Sequence, residues 1–516
     1  MTATSGQRRG AGAGSAILAC VLLAACAGSQ PRHVRADGRA ASPLDTGPPV
    51  TIPSSVPPGA GGNPATGGGS FPSVPNLPRR SGTATPAPRG GSGPAQSAGP
   101  ARGPRTGSPT PTSPVPTVPT PANPAAPPAG GNGGATDVGV TADTIKLGGF
   151  YIESGPAGSL GITLLKAVKA VYNEVNDQGG IFGRQIQMVD CDTSFTSGDK
   201  PRACFEKLTK EDKIFAFASA GDGPAMVTAS PLICKEQLPA IWMDGLATGE
   251  YKCPFIFPTG PPGRSQSHVV ADYYARKHKP KTVGFLVQND DIGNEWLQGA
   301  KEVLAKFDVK VVAEQRYDLG DTNMNAQVIN MQAANPDFIF FANEPLGGIL
   351  FQLQAKSLGY QPPMPAAGVT CNVEIWPREV GEYAKGMVCQ HPWSLPQDGL
   401  PEHGVFEKTY KKYWNDWDQR NHYTEIHWVA AKAVVETLKA AGPNLTRARV
   451  LEVLRSGALN GFDTGFGVKF KQSAGPDGGN IFNTEVAVIE ITEPSGKPYY
   501  YEMRQPARSD PYFTVG

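Results

Sequence analysis

The sequence predicts an α/β protein: two rounds of strand and helix around parallel sheets, one round after the other, in a folded part that begins near residue 137. Three observations predict it. Strand-like runs alternate with helical ones from "TIKLGGFYI" (144–152) onward, the pattern of βαβ units whose sheet is covered on both faces. The alternation restarts near residue 265, as it would in a second lobe. The chain before residue 137 is a different material, expected not to bury enough apolar surface to order itself.

In the first round, apolar residues at Ile162, Leu165, Val168, Tyr172 and Val175 recur at helical spacing. "RQIQMVD" then alternates like a strand. A helix around 200–209, the strand "KIFAFAS", a helix around 225–237 and the strand "PAIWMD" complete the series. The second round reads "QSHVVADYYARKH" as helix, "TVGFLVQND" as strand and "GNEWLQGAKEVLAKF" as helix. After the strand "VKVVAEQRYD" come a helix around 324–333, the strand "DFIFFANE" and a helix around 346–358. "MPAAGV", a short helix and "GMVCQHP" close the round. Helices then follow at about 402–416, 423–441 and 446–456 with no strands of their own, so they are expected to pack back on the first lobe. "GVKFKQ", "NTEVAVIEI" and "PYYYEM" read as closing strands.

The stretch "NDQGGIFGRQIQMVDCD" (176–192) raises the question of a phosphate loop. A dinucleotide loop follows a strand and opens a helix, so that the helix N-terminus faces the pyrophosphate. Here Gly179 and Gly180 follow a helix and Gly183 precedes a strand. Gly179 is placed as a left-handed C′ residue, Gly180 and Gly183 shape the turn, and Ile181 packs under it. The glycines are punctuation.

Arg8 and Arg9 precede the apolar run "AILACVLLAAC", which is far short of the roughly 18–20 residues that span a bilayer and reads as a secretory signal. Leu23-Ala24-Ala25-Cys26 resembles the lipobox of bacterial lipoproteins, which makes Cys26 the expected lipidation site; Cys20 has a poorer context, and an ordinary signal peptide is the alternative. From residue 27 to 136 the chain is Pro, Gly, Ser, Thr and Ala, with half of the 50 prolines, and is expected to stay a disordered tether. As a coil it reaches roughly 60 Å. The signal and tether hold the basic excess, so the rest is acidic by roughly 7 charges. That argues against nucleic acid as a partner.

Six cysteines follow the signal: Cys191, Cys204, Cys234, Cys253, Cys371 and Cys389. An even number in an exported chain reads as disulfides, with nearest-neighbour pairing 191–204, 234–253 and 371–389 among 15 arithmetically open connectivities. Each short loop closed contributes about 3 kcal/mol in the chain-entropy model. Zinc is the rival, but no C-x-x-C or neighbouring His supplies the spacing.

"GVTADTIKLGGFYIESGPAGSLG", "AVYNEVNDQGGIFGRQIQMVDCD", "TVGFLVQNDDIGNEWLQGAKEVL" and "QAKSLGY" together resemble, in order and spacing, the branched-chain amino-acid type of ABC-transporter substrate-binding proteins, the Leu/Ile/Val-binding type. The likeness covers about 139–500. It implies the type I periplasmic-binding fold: two Rossmann-like lobes with parallel sheets, joined by a three-crossover hinge, closing on a ligand and presenting it to a membrane permease. The expected layout is a signal peptide at 1–26, the linker at 27–136, lobe 1 at 137–262 and 391–470, and lobe 2 at 263–390 and 471–516.

In an open α/β sheet, ligands sit outside the carboxyl ends of the strands, where helix N-termini offer N–H groups suited to a carboxylate. The candidate ligand-binding residues are therefore Ser154, Gly155, Leu160, Ser219, Ala220, Gly221, Asp222 and Asp244 to Thr248 in the first lobe. In the second they are Asn289 to Ile292, Asn343, Glu344 and Thr370 to Asn372. By the resemblance, the Ser219–Gly221 loop matches the region that holds an amino-acid carboxylate. Three departures bear on the ligand. Ile292 stands where amino-acid binders have an aromatic, no acid lies near Gly368–Thr370, and Leu246 holds a threonine position with Thr248 two residues on.

The expected function is that of a monomeric, lipid-anchored solute-binding protein on the extracytoplasmic face of a bacterial membrane. It takes a small polar ligand of the amino acid, amide or organic acid class to an ABC permease, with no cofactor, metal or catalytic residue. A surface sensor of the same fold is the alternative. A secreted hydrolase lacks support: there is no G-x-S-x-G and no H-E-x-x-H, and His422 and His427 are five apart rather than four. Those histidines read as a cap and a packing residue, and Trp414, Trp417 and Trp428 as packing.

Overall fold

Strand β1 (Thr144–Tyr151) sends Ile145, Leu147 and Tyr151 into one core and Phe150 into another, so its sheet is buried on both faces. The computed structural model describes residues 126–155, 157–242, 245–363, 366–367, 375–395, 398–417, 422–472, 480–492 and 500–512. Cys26, Asp244, Thr370, Cys371 and Asn372 lie outside them.

The first sheet also holds β2 (Gln185–Asp192), β3 (Ala216–Ala218), β4 (Ala240–Trp242) and β5 (Ile256–Pro258), all parallel, in the order β2-β1-β3-β4-β5. Between its strands run α1 (Gly158–Asp177), α2 (Asp199–Glu206), α3 (Gly223–Glu236) and α4 (Thr248–Tyr251). The chain then enters α5 (Gly263–His278) and the second sheet: β6 (Thr282–Gln288), α6 (Asp291–Leu304), β7 (Lys310–Tyr317), α7 (Asn325–Ala334), β8 (Phe338–Ala342), α8 (Pro345–Ser357), β9 (Ala366–Ala367), α9 (Ile375–Val380) and β10 (Val388–His391). Three helices return to the first sheet: α10 (Pro401–Tyr413), α11 (His422–Ala441) and α12 (Arg447–Arg455). Finally β11 (Glu485–Thr492) and β12 (Tyr500–Ser509) add antiparallel strands to the second sheet, ordered β12-β11-β10-β9-β8-β6-β7. The chain thus passes between the sheets after β5, after β10 and before β11, the three-crossover α/β architecture.

The late helices pack where their lack of strands required. Ile426, Val429 and Val434 of α11 share a core with Leu147 of β1 and with Leu164 and Val168 of α1. Trp428 is buried there, and Trp414 and Trp417 pack at its margin. The second sheet has its own core, in which Phe285, Phe340 and Ile489 meet Val270 of α5 and Trp296 of α6.

At the end of α1, Gly180 N–H donates to the Val175 carbonyl at 2.9 Å and Gly179 N–H to Asn176 at 3.0 Å. This pair of bonds is a Schellman motif, with Gly179 at φ 105° and Gly180 at φ 79°. Ile181 is buried and pairs with Arg184 in an isolated antiparallel bridge. Arg184 is itself buried. Its guanidinium donates to the carbonyls of Thr141 (2.7 Å), Pro443 (2.8 Å), Gly134 (3.0 Å) and Asn132.

Two expectations need correction. Residues 132–136 fall in the expected tether, yet Asn132 and Gly134 accept from Arg184, and Thr136 donates to the Leu445 carbonyl at 2.5 Å. Their composition reads as linker, but a buried guanidinium requires their carbonyls. "GVKFKQ" is not a sheet strand. It folds back locally, with Phe470 N–H on the Phe462 carbonyl and Gly461 N–H on the Phe470 carbonyl. The alternation that suggested a strand reflects Val468 and Phe470 turning into the first core.

Disulfides join Cys191 to Cys204 and Cys234 to Cys253, with Cα–Cα distances of 5.7 and 5.9 Å. Cys389 is also disulfide-bonded. Among the described residues no helix is long and apolar enough to cross a membrane.

Candidate functional site

Strand carboxyl ends in parallel sheets open into loops that the sheet itself leaves free to hold a ligand. In the first sheet the loop after β2 carries Ser194, Phe195, Thr196 and Ser197; in the second, the loop after β7 carries Leu319 to Thr322. Together with Glu344 and the first turns of α8 they enclose a cavity of about 420 Å³. Its walls are mostly apolar: Phe195, Leu319, Met324, Leu346, Ile349, Leu350 and Leu353. Polar atoms come from Ser194, Thr196, Ser197, Gln288, Tyr317, Asp321, Thr322 and Glu344, and no Lys, Arg or His is among the described lining residues.

Gln288, at the end of β6, organises the polar wall. Its Oε1 accepts from the Tyr317 hydroxyl and from the Glu344 N–H, both at 3.2 Å, while its amide donates to Asp290 at 2.5 Å. Burial, reinforced by Glu344, holds the Tyr317 hydroxyl far above the usual phenol range, so it stays protonated. Gly347 on α8 lets the Tyr317 ring lie directly against the helix, because a Cβ there would overlap it.

Aspartates head the helices that face the cleft. Asp222 caps α3, accepting from Ala225 N–H at 3.1 Å and from the Thr193 hydroxyl at 2.5 Å. Burial pushes its carboxyl up to about 6, against the opposing pull of Thr193 and of the Ala225 and Phe195 N–H groups. Asp290 caps α6 through Gly293 N–H at 2.9 Å and is likewise raised by burial. These helix N-termini therefore already face protein carboxylates.

The two sheets' loops meet beside the cavity. A Cβ on Gly223, the first residue of α3, would lie 2.8 Å from Leu246 Cδ1, 3.0 Å from Glu344 Oε1 and 3.5 Å from Ile292 Cδ1. Near this point Glu295 of α6 accepts from the Thr248 hydroxyl and, at 3.2 Å, from Tyr251. A cleft between two α/β lobes, walled by strand-exit loops of both, is the arrangement of a solute-binding protein. A family model described as "Periplasmic binding protein" matches residues 144–496.

The chain belongs to this family. Among relatives, the "Leu/Ile/Val-binding protein homolog 7" of Brucella abortus is 22% identical over 348 residues, covering 64% of this chain and 86% of the relative. The "Leucine-, isoleucine-, valine-, threonine-, and alanine-binding protein" of Pseudomonas aeruginosa is 23% identical over 263 residues, covering 50% and 69%. Among solved structures, the "Fatty acid ABC transporter substrate-binding protein" of Thermomonospora curvata superposes with a TM-score of 0.64 at 20% identity, covering 76% of this chain and 99% of that one. Members of the periplasmic binding protein family bind solutes rather than transform them, and the family is extracytoplasmic.

In this periplasmic binding protein the candidate residues fall into separate settings. Glu344 lines the cavity. Ser154 donates to Asp192 at 2.5 Å, and Gly155 lies beside it at φ 77°. Burial opposes the Asp192 charge, but Ser154, the Glu153 and Ser194 N–H groups and Lys200 hold its carboxyl far below the usual range. Leu160 packs at the margin of the first core. Ser219 is buried at φ 57°, its hydroxyl 3.5 Å from the His427 carbonyl and its N–H on the Ile241 carbonyl at 2.7 Å. Ala220 is buried, and Gly221 N–H is taken by the Phe150 carbonyl at 2.7 Å. Thr248 faces Glu295 rather than the cavity. Asn289 donates to Asp318 at 2.7 Å, and Ile292 is buried against Gly223. Asn343 is buried with its amide on the Leu286 carbonyl at 3.2 Å and its Oδ1 without a hydrogen-bond partner among the described residues.

Phe195, Thr196, Tyr317, Leu319 and Leu350 were not among the candidates. Phe195, Thr196 and Leu319 follow strands β2 and β7, and the strand-end rule applied to every strand rather than to the central ones picks out those two loops.

Proposed function

We propose that this periplasmic binding protein is a lipid-anchored receptor that closes on a small solute outside the cytoplasm and delivers it to an ABC permease. The observation that supports this is the shared cavity. One wall comes from the loop after β2 and the other from the β7 loop and α8, so occupancy and lobe closure are coupled. Cys26 carries the anchor, and the Pro-rich arm gives the lobes reach from the membrane. The relatives' printed names cover branched-chain amino acids in one case and a fatty acid in another, so the ligand has to be read from this chain's own lining.

The test combines scattering with ligand recovery. Small-angle scattering of the full chain contracts on adding the solute, the unfolding temperature rises by mass action, and the solute is recovered unaltered. Scattering curves that stay fixed for every solute that raises the unfolding temperature reject closure; a converted solute rejects the receptor reading. For the anchor, Cys26→Ser is expected to release the protein into the medium.

A further inference from the structure

The geometry points to a ligand that lacks a carboxylate: an amphiphile with an apolar body and a neutral or cationic hydrogen-bond-donating head. This rests on the receptor reading above and names the class of solute for the same cavity. A cavity of about 420 Å³ lies in the usual range of small-molecule sites. That is room for a body of several methylenes and one head group. The body has Phe195, Leu319, Met324, Ile349, Leu350 and Leu353 to lie against.

The head group is decided by charge. Asp321 and Glu344 are acidic, no cation stands among the described lining residues, and Lys200, which donates to the lining Ser194 from behind, is paired with Asp192 at 3.2 Å. The neighbouring N-termini of α3 and α6, where an anion would otherwise find N–H donors, are capped by Asp222 and Asp290, and that of α8 opens on Pro345, which has no N–H, with the Gly347 N–H already on the Glu344 carbonyl at 3.2 Å. A carboxylate entering here is desolvated beside like charges, which is costly without a partner. An ammonium or hydroxyl meets acceptors instead. A carboxylate has about four lone-pair sites, so Glu344 accepts from a ligand in addition to its protein partners.

The test uses the full chain and five probes: 1-hexanol, 1-octanol, octylamine, octanoate and leucine, titrated by calorimetry. Affinity is expected to rise roughly fourfold per added methylene from hexanol to octanol. Octylamine is expected to bind at least tenfold more tightly than octanoate. Leu350→Trp, which fills the apolar wall, abolishes the series. Thr322→Lys, at an exposed lining position, reverses the amine–carboxylate order without touching the core. Octanoate binding as tightly as octylamine overturns the proposed class. Binding of leucine alone, untouched by Leu350→Trp, overturns the cavity assignment and leaves the receptor standing. Failure of all five probes while another solute contracts the protein also overturns this inference alone. Failure of every solute to bind or contract the protein removes the receptor reading with it.

Discussion

Glu295 and Arg264 form a two-point ion pair, Nε at 3.0 Å and Nη2 at 3.2 Å, and Glu295 extends it across the cleft to Thr248 and Tyr251. Arg264 and Glu295 belong to helices of the second sheet, whereas Thr248 and Tyr251 belong to α4 of the first. The pair fixes the carboxylate where the two hydroxyls of the first lobe reach it. Glu295→Ala is expected to lower the unfolding temperature by a few degrees and to expand the ligand-free protein in small-angle scattering. A double-mutant cycle between Thr248→Val and Glu295→Gln should give a coupling of about 0.5–2 kcal/mol. No expansion and no coupling would mean that the contact does not hold the lobes.

Two buried groups titrate in opposite senses. Asp222 is raised to about 6, so the folded protein binds its proton before the unfolded chain does, and stability is lost as pH rises from about 4 to 6. His427 is lowered to about 4 by burial, against the opposing Tyr423 and Ala220 backbone contacts, so its contribution is lost as pH falls from 6.5 to 4. Each is of order 3 kcal/mol at 1.36 kcal/mol per unit, and together they nearly cancel. The expected stability of the natural chain is therefore flat across that window as far as these two groups act. Asp222→Asn should expose a loss toward acid, and His427→Gln a gain toward acid, in urea unfolding at successive pH values. Parallel profiles for the two variants would refute the opposition.

Gly180 sits at φ 79°, and a Cβ added to it would collide with the Arg184 carbonyl. Gly180→Ala should cost at least about 2 kcal/mol, combining a left-handed backbone with a contact that only main chain can relieve. Gly155→Ala is the control: it also has positive φ (77°), but nothing lies within 4 Å of its Cβ position. Its cost should stay near 1 kcal/mol, as left-handed strain alone predicts. Equal losses in urea melts would show that backbone conformation, not the close approach, sets the loss at Gly180.

The fold was legible because its signals are local and repeated. The Schellman exit at Gly179 and Gly180 and the paired periodicities of α1 and β1 all point to one architecture. Two disulfides were legible from proximity in sequence, since Cys191 and Cys204 close a short loop. The cavity was less so. Glu344 follows a central strand and is a sequence candidate that lines the cavity, whereas Phe195 and Leu319 line it from the ends of β2 and β7, outside the candidate loops. Ser219 shows the other limit. Its loop position suggests a ligand contact, but a left-handed backbone turns its hydroxyl toward α11, and no linear pattern records that turn. Asp222 and Asp290 read equally as caps or as ligand groups until the N–H bonds at Ala225 and Gly293 are seen.

Arg184 ties three backbone stretches together through four carbonyls, and two of these acceptors, Asn132 and Gly134, come from the end of the Pro- and Gly-rich arm. No carboxylate pairs with it among the described contacts, so its charge depends on carbonyl dipoles, and burial lowers its pKa. A chain beginning at Asp137 would leave two of its donors without these acceptors. It should be less stable than a chain beginning at Ala126 by about 1–3 kcal/mol, the cost of unmade bonds to a buried charged group. Arg184→Met removes the charge together with its need for partners. In that background the same truncation should cost much less, because no guanidinium remains to be satisfied. Urea unfolding of the four chains measures the interaction directly. If truncation costs as much in the Arg184→Met background, the segment stabilises the fold through Asn132 Nδ2 and its bonds to Ala142 and Phe182 instead.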